Sequence, residues 1–328
     1  MSTVRSAAPK LTAAAALLGL CATAALGGAP AQARPRLVHA GVNATTGSTG
    51  TSGSTGSSGS TGPSGVTGST GSTGSGGTGS TGTAAANPST SSNWAGYAVR
   101  SSGSVARHFT RITGSWIAPA VTCTPGSAAY SAFWVGLGGY TSTAKHLEQV
   151  GTEADCDAHG VAHYSAWFEL VPRASVTVAL AVAPGDAITA AVKATPGAIT
   201  FTLTDTTSGA RFHRRIAFTG ADTTSAEWIA EAPSSCGANG CRTLPLGDFG
   251  TVTFTGASVA THSGLRGPIS AAKWSAVPIA LDAQSGSPRG DQFALGSRAL
   301  ISAVPSVLAD AGSSFGVSWE QQAPPVGP

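Results

Sequence analysis

From residue 91 onward the chain consists of short runs of alternating polarity, rich in Val, Ile, Thr and Phe and broken at short intervals by Pro, Gly, Asp or Ser. A period of two sends successive side chains to opposite faces of a strand, and nowhere does this region show the longer period of an extended amphipathic helix. Ala187 to Thr195 and Ala198 to Thr206, joined by Pro196-Gly197, read as a hairpin, and Val252 to Phe254 and Gly316 to Trp319 read as further strands. About 240 residues of this kind in one stretch predict a single large all-β domain over residues 91–328, a sandwich or a barrel.

The chain before this region has a different character. Arg5 and Lys10 precede an uncharged Ala/Leu run from Leu11 to Leu26, and Ala31-Gln32-Ala33 has the small-residue form of a cleavage site. Residues 1–33 therefore read as an export signal, which predicts a secreted protein. The run is shorter than the ~20 residues a membrane-spanning helix requires, so no stable membrane association is expected. The bulky Leu20 before Cys21 argues against a lipid anchor there. From Gly47 to Gly74 glycine recurs at every third position with Ser and Thr between, a collagen-like period, yet Pro63 is the single proline in that tract. Residues 34–90 thus read as a Gly/Ser/Thr-rich spacer or a pro-segment.

Only 10% of the residues are charged and the formal net charge is +3. Arg5, Lys10, Arg34 and Arg36 are the only charges before residue 100, so 14 of the 18 cations and all 15 anions fall in the folded part, for a balance of −1. Such a balance gives no reason to expect nucleic acid or an acidic membrane as partner. Setting Cys21 aside with the signal leaves Cys123, Cys156, Cys236 and Cys241, an even number suited to two disulfides in an oxidising compartment. The short loop between Cys236 and Cys241 favours that pairing and leaves Cys123 with Cys156. A zinc site would want closely spaced Cys pairs of the usual kind, and these are missing.

Two motifs are set aside on chemical grounds. Gly312-Ser313-Ser314-Phe315-Gly316 has the letters of a serine-hydrolase elbow, but no His follows Ser314 and its neighbourhood reads as a β-hairpin. His159 and His163 have the spacing of helical metal ligands, yet Asp157-Ala158-His159-Gly160 has a turn composition and His163 opens an alternating strand. No metal ligand set and no phosphate-binding loop emerges.

Three segments combine polar groups with strand periodicity. Leu147-Glu148-Gln149-Val150-Gly151-Thr152-Glu153 is the first. In the second, alternation puts His163, Ser165, Trp167 and Glu169 on one face and Tyr164, Ala166, Phe168 and Leu170 on the other, so the polar face is expected to look outward as an aromatic-walled cleft. The third, Ala226-Glu227-Trp228-Ile229-Ala230-Glu231, places two acids on one face of one strand. Repulsion and burial raise the pKa of at least one such carboxyl, the condition for a group that exchanges protons in acid.

These pieces carry a resemblance. Asn93-Trp94-Ala95-Gly96, Trp134-Val135-Gly136, Gln149-Val150-Gly151, Tyr164 through Pro172, Ala226 through Glu231, and Asp248-Phe249-Gly250 through Phe254 stand in the order and spacing of the glutamic peptidases called eqolisins. The similarity spans Ser91 to Trp319. It implies a sandwich of two antiparallel sheets, a lectin-like jelly roll, that acts as a secreted acid endopeptidase on protein or peptide substrates. No metal, nucleotide or other cofactor is implied, and the protein is expected to be a monomer. By the match Gln149 and Glu231 take the places of the catalytic pair, and Trp94, Trp134, Trp167 and Glu169 match substrate-contacting positions. Gly138 stands where the family has an Asp after the Trp-Val-Gly piece, Glu153 stands for an Asp after the catalytic Gln, and Leu170 and Val171 replace cleft aromatics. The competing expectations are a non-catalytic carbohydrate- or peptide-binding sandwich and a structural protein displayed on the Gly/Ser/Thr stalk.

Overall fold

Alternating runs become strands wherever turn residues bound them. In chain order the first are β1 (Leu37–Val38), β2 (Ser89–Ser91), β3 (Trp94–Arg100), β4 (Phe109–Ile117), β5 (Ala132–Gly138) and β6 (Leu147–Cys156). There follow β7 (Ala162–Val171), β8 (Val176–Val178), β9 (Ala187–Thr195), β10 (Ala198–Asp205), β11 (Arg211–Ala217) and β12 (Ser225–Glu231). The last are β13 (Ser234–Gly237), β14 (Gly240–Thr243), β15 (Thr251–Thr261), β16 (Arg266–Pro268), β17 (Ser275–Asp282), β18 (Ile301–Pro305) and β19 (Phe315–Trp319). A 3-10 turn at Asp310–Gly312 precedes β19, so Ser314 sits at a turn-to-strand junction and not at a strand-to-helix elbow. The structure, a computed structural model, describes residues 37–38, 83–85, 88–102, 106–140, 144–237, 240–282 and 301–321. The expected export signal and the Gly47–Gly74 tract lie outside these residues. Within 34–90, β1 pairs with β13 and β2 runs parallel to β17.

The expected hairpin is β9–β10, paired from Thr195↔Ala198 to Ile188↔Asp205. Hydrogen-bonded neighbours run in the order β11-β10-β9-β4-β15-β19-β18-β17-β3-β12-β5-β6-β7-β8. Strand β15 belongs to both halves of that path: Thr251–Phe254 pair with β19, while Thr255–Thr261 pair with β4 after a register shift between Thr255 and Ser258. Gly256 in this bulge has φ +57°, a left-handed conformation that glycine adopts without a steric penalty. The path so folded lays two antiparallel sheets face to face. Ile112 and Trp116 of β4, Val192 of β9 and Phe201 of β10 share one core with Phe133 and Val135 of β5, Val150 of β6 and Trp228 of β12. Two buried indoles cross the sandwich: Trp228 Nε1 donates to the Thr113 carbonyl at 2.8 Å, and Trp116 Nε1 donates to Thr152 Oγ1 at 3.1 Å. Each leaves no unmatched donor in the apolar layer.

Both disulfides form as expected, Cys123–Cys156 and Cys236–Cys241. Their sequence separations are 33 and 5 residues. Loop-closure entropy gives the longer loop roughly 4 kcal/mol of stabilisation and the shorter roughly 2. Cys123→Ala/Cys156→Ala is therefore expected to lower the thermal midpoint clearly more than Cys236→Ala/Cys241→Ala. Calorimetry of the two double variants checks it, and an equal or reversed loss would count against the loop-length account.

Candidate active site

The far face of β17, β3, β12, β5, β6 and β7, turned away from the main core, carries a second apolar cluster. It gathers Trp94, Ala98, Ala132, Trp134, Tyr140, Leu147, Trp167, Ile229 and Ile279. Strand parity explains the membership: Ile229 falls here with Glu227 and Glu231, while Trp228 and Ala230 face the main core. The expectation that Trp167 and Glu169 look outward is corrected, since they are 1% and 0% exposed, as are Trp94, Trp134, Gln149 and Glu231 at 0%. Three indoles, each a large apolar surface, bury one another on this face. Trp94 and Trp134 meet edge to face with ring centres 4.9 Å apart.

Polar groups are set into that layer in pairs. Glu231 Oε2 accepts from Trp134 Nε1 at 2.7 Å, and its Oε1 accepts from Asn93 Nδ2 at 3.0 Å. Asn93 in turn is fixed where the chain enters β3, its backbone N–H donating to Ser91 Oγ at 3.3 Å. On β6, Gln149 Nε2 donates to Glu169 Oε2 of β7 at 2.8 Å, which decides the way the amide faces. Glu153 Oε2 accepts from Ser165 Oγ at 2.8 Å.

Register relates the two groups. Gln149 lies opposite Gly136, and Gly136 lies opposite Glu227; Glu231 lies opposite Ala132, four residues along β5. Trp134 spans the interval. A Cβ on Gly136 would fall 2.9 Å from Trp134 Cζ3 and 3.2 Å from Gln149 Cβ, so only glycine lets the indole lie down beside Gln149 while its N–H reaches Glu231.

A second set of carboxyls gathers nearby. Burial holds Glu148 at a pKa of about 9, with the neighbouring charge of Asp222 raising it further and the Asp222 N–H, 3.4 Å from Oε1, partly opposing this. Burial likewise raises Glu227 well above the carboxylate range, with the charges of Asp222 and Glu148 adding to it. Both side chains are fully buried. Their stable form in the fold is the neutral acid. Asp222 also occupies the space a side chain on Gly138 would fill, since a Cβ there would lie 2.5 Å from Asp222 Cβ. A carboxyl thus reaches the place of the missing Asp from the approach to β12.

The family model of the Peptidase A4 family matches residues 92–286, more than half of the chain. The chain belongs to the Peptidase A4 family. It is accordingly a glutamic endopeptidase, with protein or peptide substrates. Aspergillopepsin-2 of Aspergillus niger is 29% identical over 205 residues, covering 56% of this chain and 69% of that protein. Scytalido-glutamic peptidase, solved with a transition state analog inhibitor, superposes with a TM-score of 0.53 at 24% identity, over 70% of this chain and 98% of that one. SCP-B, an eqolisin solved with the tripeptide Ala-Ile-His, gives 0.50 at 24% identity over the same shares. These likenesses show that this Peptidase A4 chain has the eqolisin sandwich.

Within this glutamic endopeptidase the face just described gathers all six candidates, Gln149, Glu231, Trp94, Trp134, Trp167 and Glu169. Asn93 is the residue that reading the candidates one by one misses. Its signal was its place in the Asn93-Trp94-Ala95-Gly96 piece, which precedes β3 and carries no charge to draw notice. His163 pairs with Asp157 at 3.0 Å, and Asp157 Oδ1 accepts the N–H groups of His159 and Val161, as a turn composition predicts. Chiefly through the His163 contact, with the Val161 N–H next, the Asp157 carboxyl falls to a pKa of about 2. Among the described residues no group of three His, Cys, Asp or Glu is placed to hold a metal. A cavity of about 540 Å³ is walled by Ser92 and Ala232, the chain neighbours of Asn93 and Glu231, together with Leu244, Leu281 and Trp319.

Proposed function

We propose that this protein is an exported acid peptidase in which Glu231 and Gln149 hydrolyse internal peptide bonds by direct attack of water. The observation that supports it is a buried carboxyl gripped by two neutral donors, Trp134 and Asn93, on the same sheet face as an amide oriented by Glu169. Glu231 as carboxylate takes a proton from water while the oxygen of that water bonds to the peptide carbon. The carbonyl oxygen becomes an oxyanion and is stabilised by the N–H of Gln149, worth a factor of roughly 10²–10³ for one such donor. Glu231 then returns its proton to the leaving nitrogen, the C–N bond breaks, and the carboxylate is regenerated. One carboxyl so placed serves in both directions of proton transfer. The leader over residues 1–33 and the two disulfides support export.

Cleavage of denatured casein between pH 3 and 4 that persists through chelator and through serine and aspartic peptidase inhibitors is the expected result, and no cleavage would overturn the reading. Gln149→Ala is expected to lower kcat by roughly 10²–10³ with little change in KM. Steady-state kinetics checks it; a change confined to KM would place Gln149 in substrate binding.

Asn93 has a positioning role that its variant isolates. Hydrogen bonds to charged groups contribute about 1.5–3 kcal/mol, so Asn93→Ala is expected to lower kcat roughly ten- to a hundredfold. It also moves the acid limb of the rate profile to higher pH, because a carboxylate deprived of a donor protonates more readily. An unshifted profile with full kcat would remove Asn93 from the machinery.

A further inference from the structure

The outward face of the second sheet holds a row of cations that counting charges along the chain does not show. Five register pairs define it: Arg215↔Thr200, Thr200↔Lys193, Lys193↔Arg111, Arg111↔Ala260 and Ala260↔Arg266. Four cations from β11, β9, β4 and β16 therefore stand in one line across the strands, over roughly 24 Å at the usual strand spacing. All four are exposed, and none forms an ion pair among the described residues. Arg211 and His213 extend the line along β11, and the neighbouring outward positions are hydroxyls such as Thr202, Thr204 and Thr113. No Asp or Glu projects from this face within β4, β9, β10, β11, β15 or β16, the aspartate of β10, Asp205, being buried at its end.

That arrangement costs stability. Like charges directly opposite on paired strands repel, and Lys193 and Arg111 are such a pair. A sheet face under no other constraint gains by alternating signs. Arginine forks with Ser and Thr hydroxyls between them are the groups that hold phosphate oxygens along a polymer without reading its sequence. Over β9, β4 and β16 the row is one cation wide, which suits one oxyanion per repeat of a flexible single chain and not the two strands of a duplex.

We infer that this face, which carries no exposed Phe, Tyr or Trp ring on which bases could stack, is a docking row for a polyol-phosphate chain that would hold the peptidase on a polyanionic surface. The row lies on the outer face of the second sheet, so binding is read without turnover and stands or falls apart from the Gln149/Glu231 reading. The test titrates the full chain into a labelled glycerol-phosphate oligomer at pH 5 over a range of salt concentrations. Four contacts give a slope of log K against log salt near −3, from about 0.7 per contact on a single strand. Lys193→Gln/Arg111→Gln is expected to cut that slope by about half and to weaken low-salt binding roughly tenfold or more, with peptide hydrolysis and the thermal midpoint kept or the midpoint raised. Arg215→Gln/Arg266→Gln, at the two ends of the row, provides the same readout should the first pair fold poorly. Unchanged binding in both variants overturns the inference. So does equal weakening by Arg100→Gln/Arg173→Gln, which changes net charge off the row, or tighter binding of dextran sulfate, polygalacturonate, or single- or double-stranded DNA than of the glycerol-phosphate oligomer.

Discussion

Glu231→Gln is expected to lower kcat for protein hydrolysis by at least ~10³, because the same carboxyl supplies both proton transfers and each is worth 10²–10⁴. The change is nearly isosteric, so the fold should survive it. It is not silent, however: the Gln side chain has one acceptor oxygen where Glu231 offers two, to Trp134 and to Asn93. One buried donor then faces an amide N–H, and a loss of about 1–3 kcal/mol in stability is expected from that mismatch. Activity and thermal unfolding measured on the same preparation separate the two effects. Wild-type turnover in a folded Glu231→Gln protein would end the reading of Glu231 as base and acid.

The second large effect concerns pH and stability. Glu148 has a folded-state pKa of about 9 against the ordinary 4.5. Because that value is raised, its contribution to stability is fully present below about pH 4.5 and is lost as pH climbs toward 9, the unfolded chain releasing the proton first. At pH 7 the loss is roughly 3 kcal/mol, from about 2.5 units at 1.36 kcal/mol each. Glu227 shifts in the same direction and adds to it. Against the 5–15 kcal/mol that holds a typical domain together, this is a large share. The thermal midpoint should therefore fall steadily from pH 4.5 toward pH 8. Glu148→Gln, which mimics the neutral acid, should leave the midpoint at pH 4 nearly unchanged and raise it at pH 7.5 by several degrees. A flat pH profile, or a variant that follows the wild type throughout, would show that Glu148 is not the group responsible.

Period-two alternation made the strands readable: β9 and β10 and the turn between them emerge from Ala187–Asp205 with scarcely a residue of error, because a hairpin is a local object. The faces were harder. Alternation correctly separated Trp167 and Glu169 from Phe168 and Leu170, but a period says only that two faces differ, and both of these are buried. Glu227 and Glu231 were legible as a pair on one side of a strand. Their different circumstances were not legible: Glu231 is gripped by Asn93 and Trp134, which reach it only through pairing of β12 with β3 and β5, while burial keeps Glu227 neutral. The cation row escaped for a related cause. Its members are spread from residue 111 to 266, and a near-zero total conceals any pattern that pairing alone assembles.

Strand β3 lies between β12 and β17, partners more than a hundred residues downstream. The segment that brings Asn93 and Trp94 to the site is thus among the first of the domain to leave the ribosome and among the last to find its neighbours. Topologies of this sort fold slowly, since long loops must close before any pairing rewards them. Until β12 has emerged β3 waits with both edges unsatisfied, and until β17 has emerged it waits with one. The peptidase face is therefore finished late in folding, and a chain cut short before residue 275 would hold Asn93, Gln149 and Glu231 and still lack the strand that closes the face beside β3.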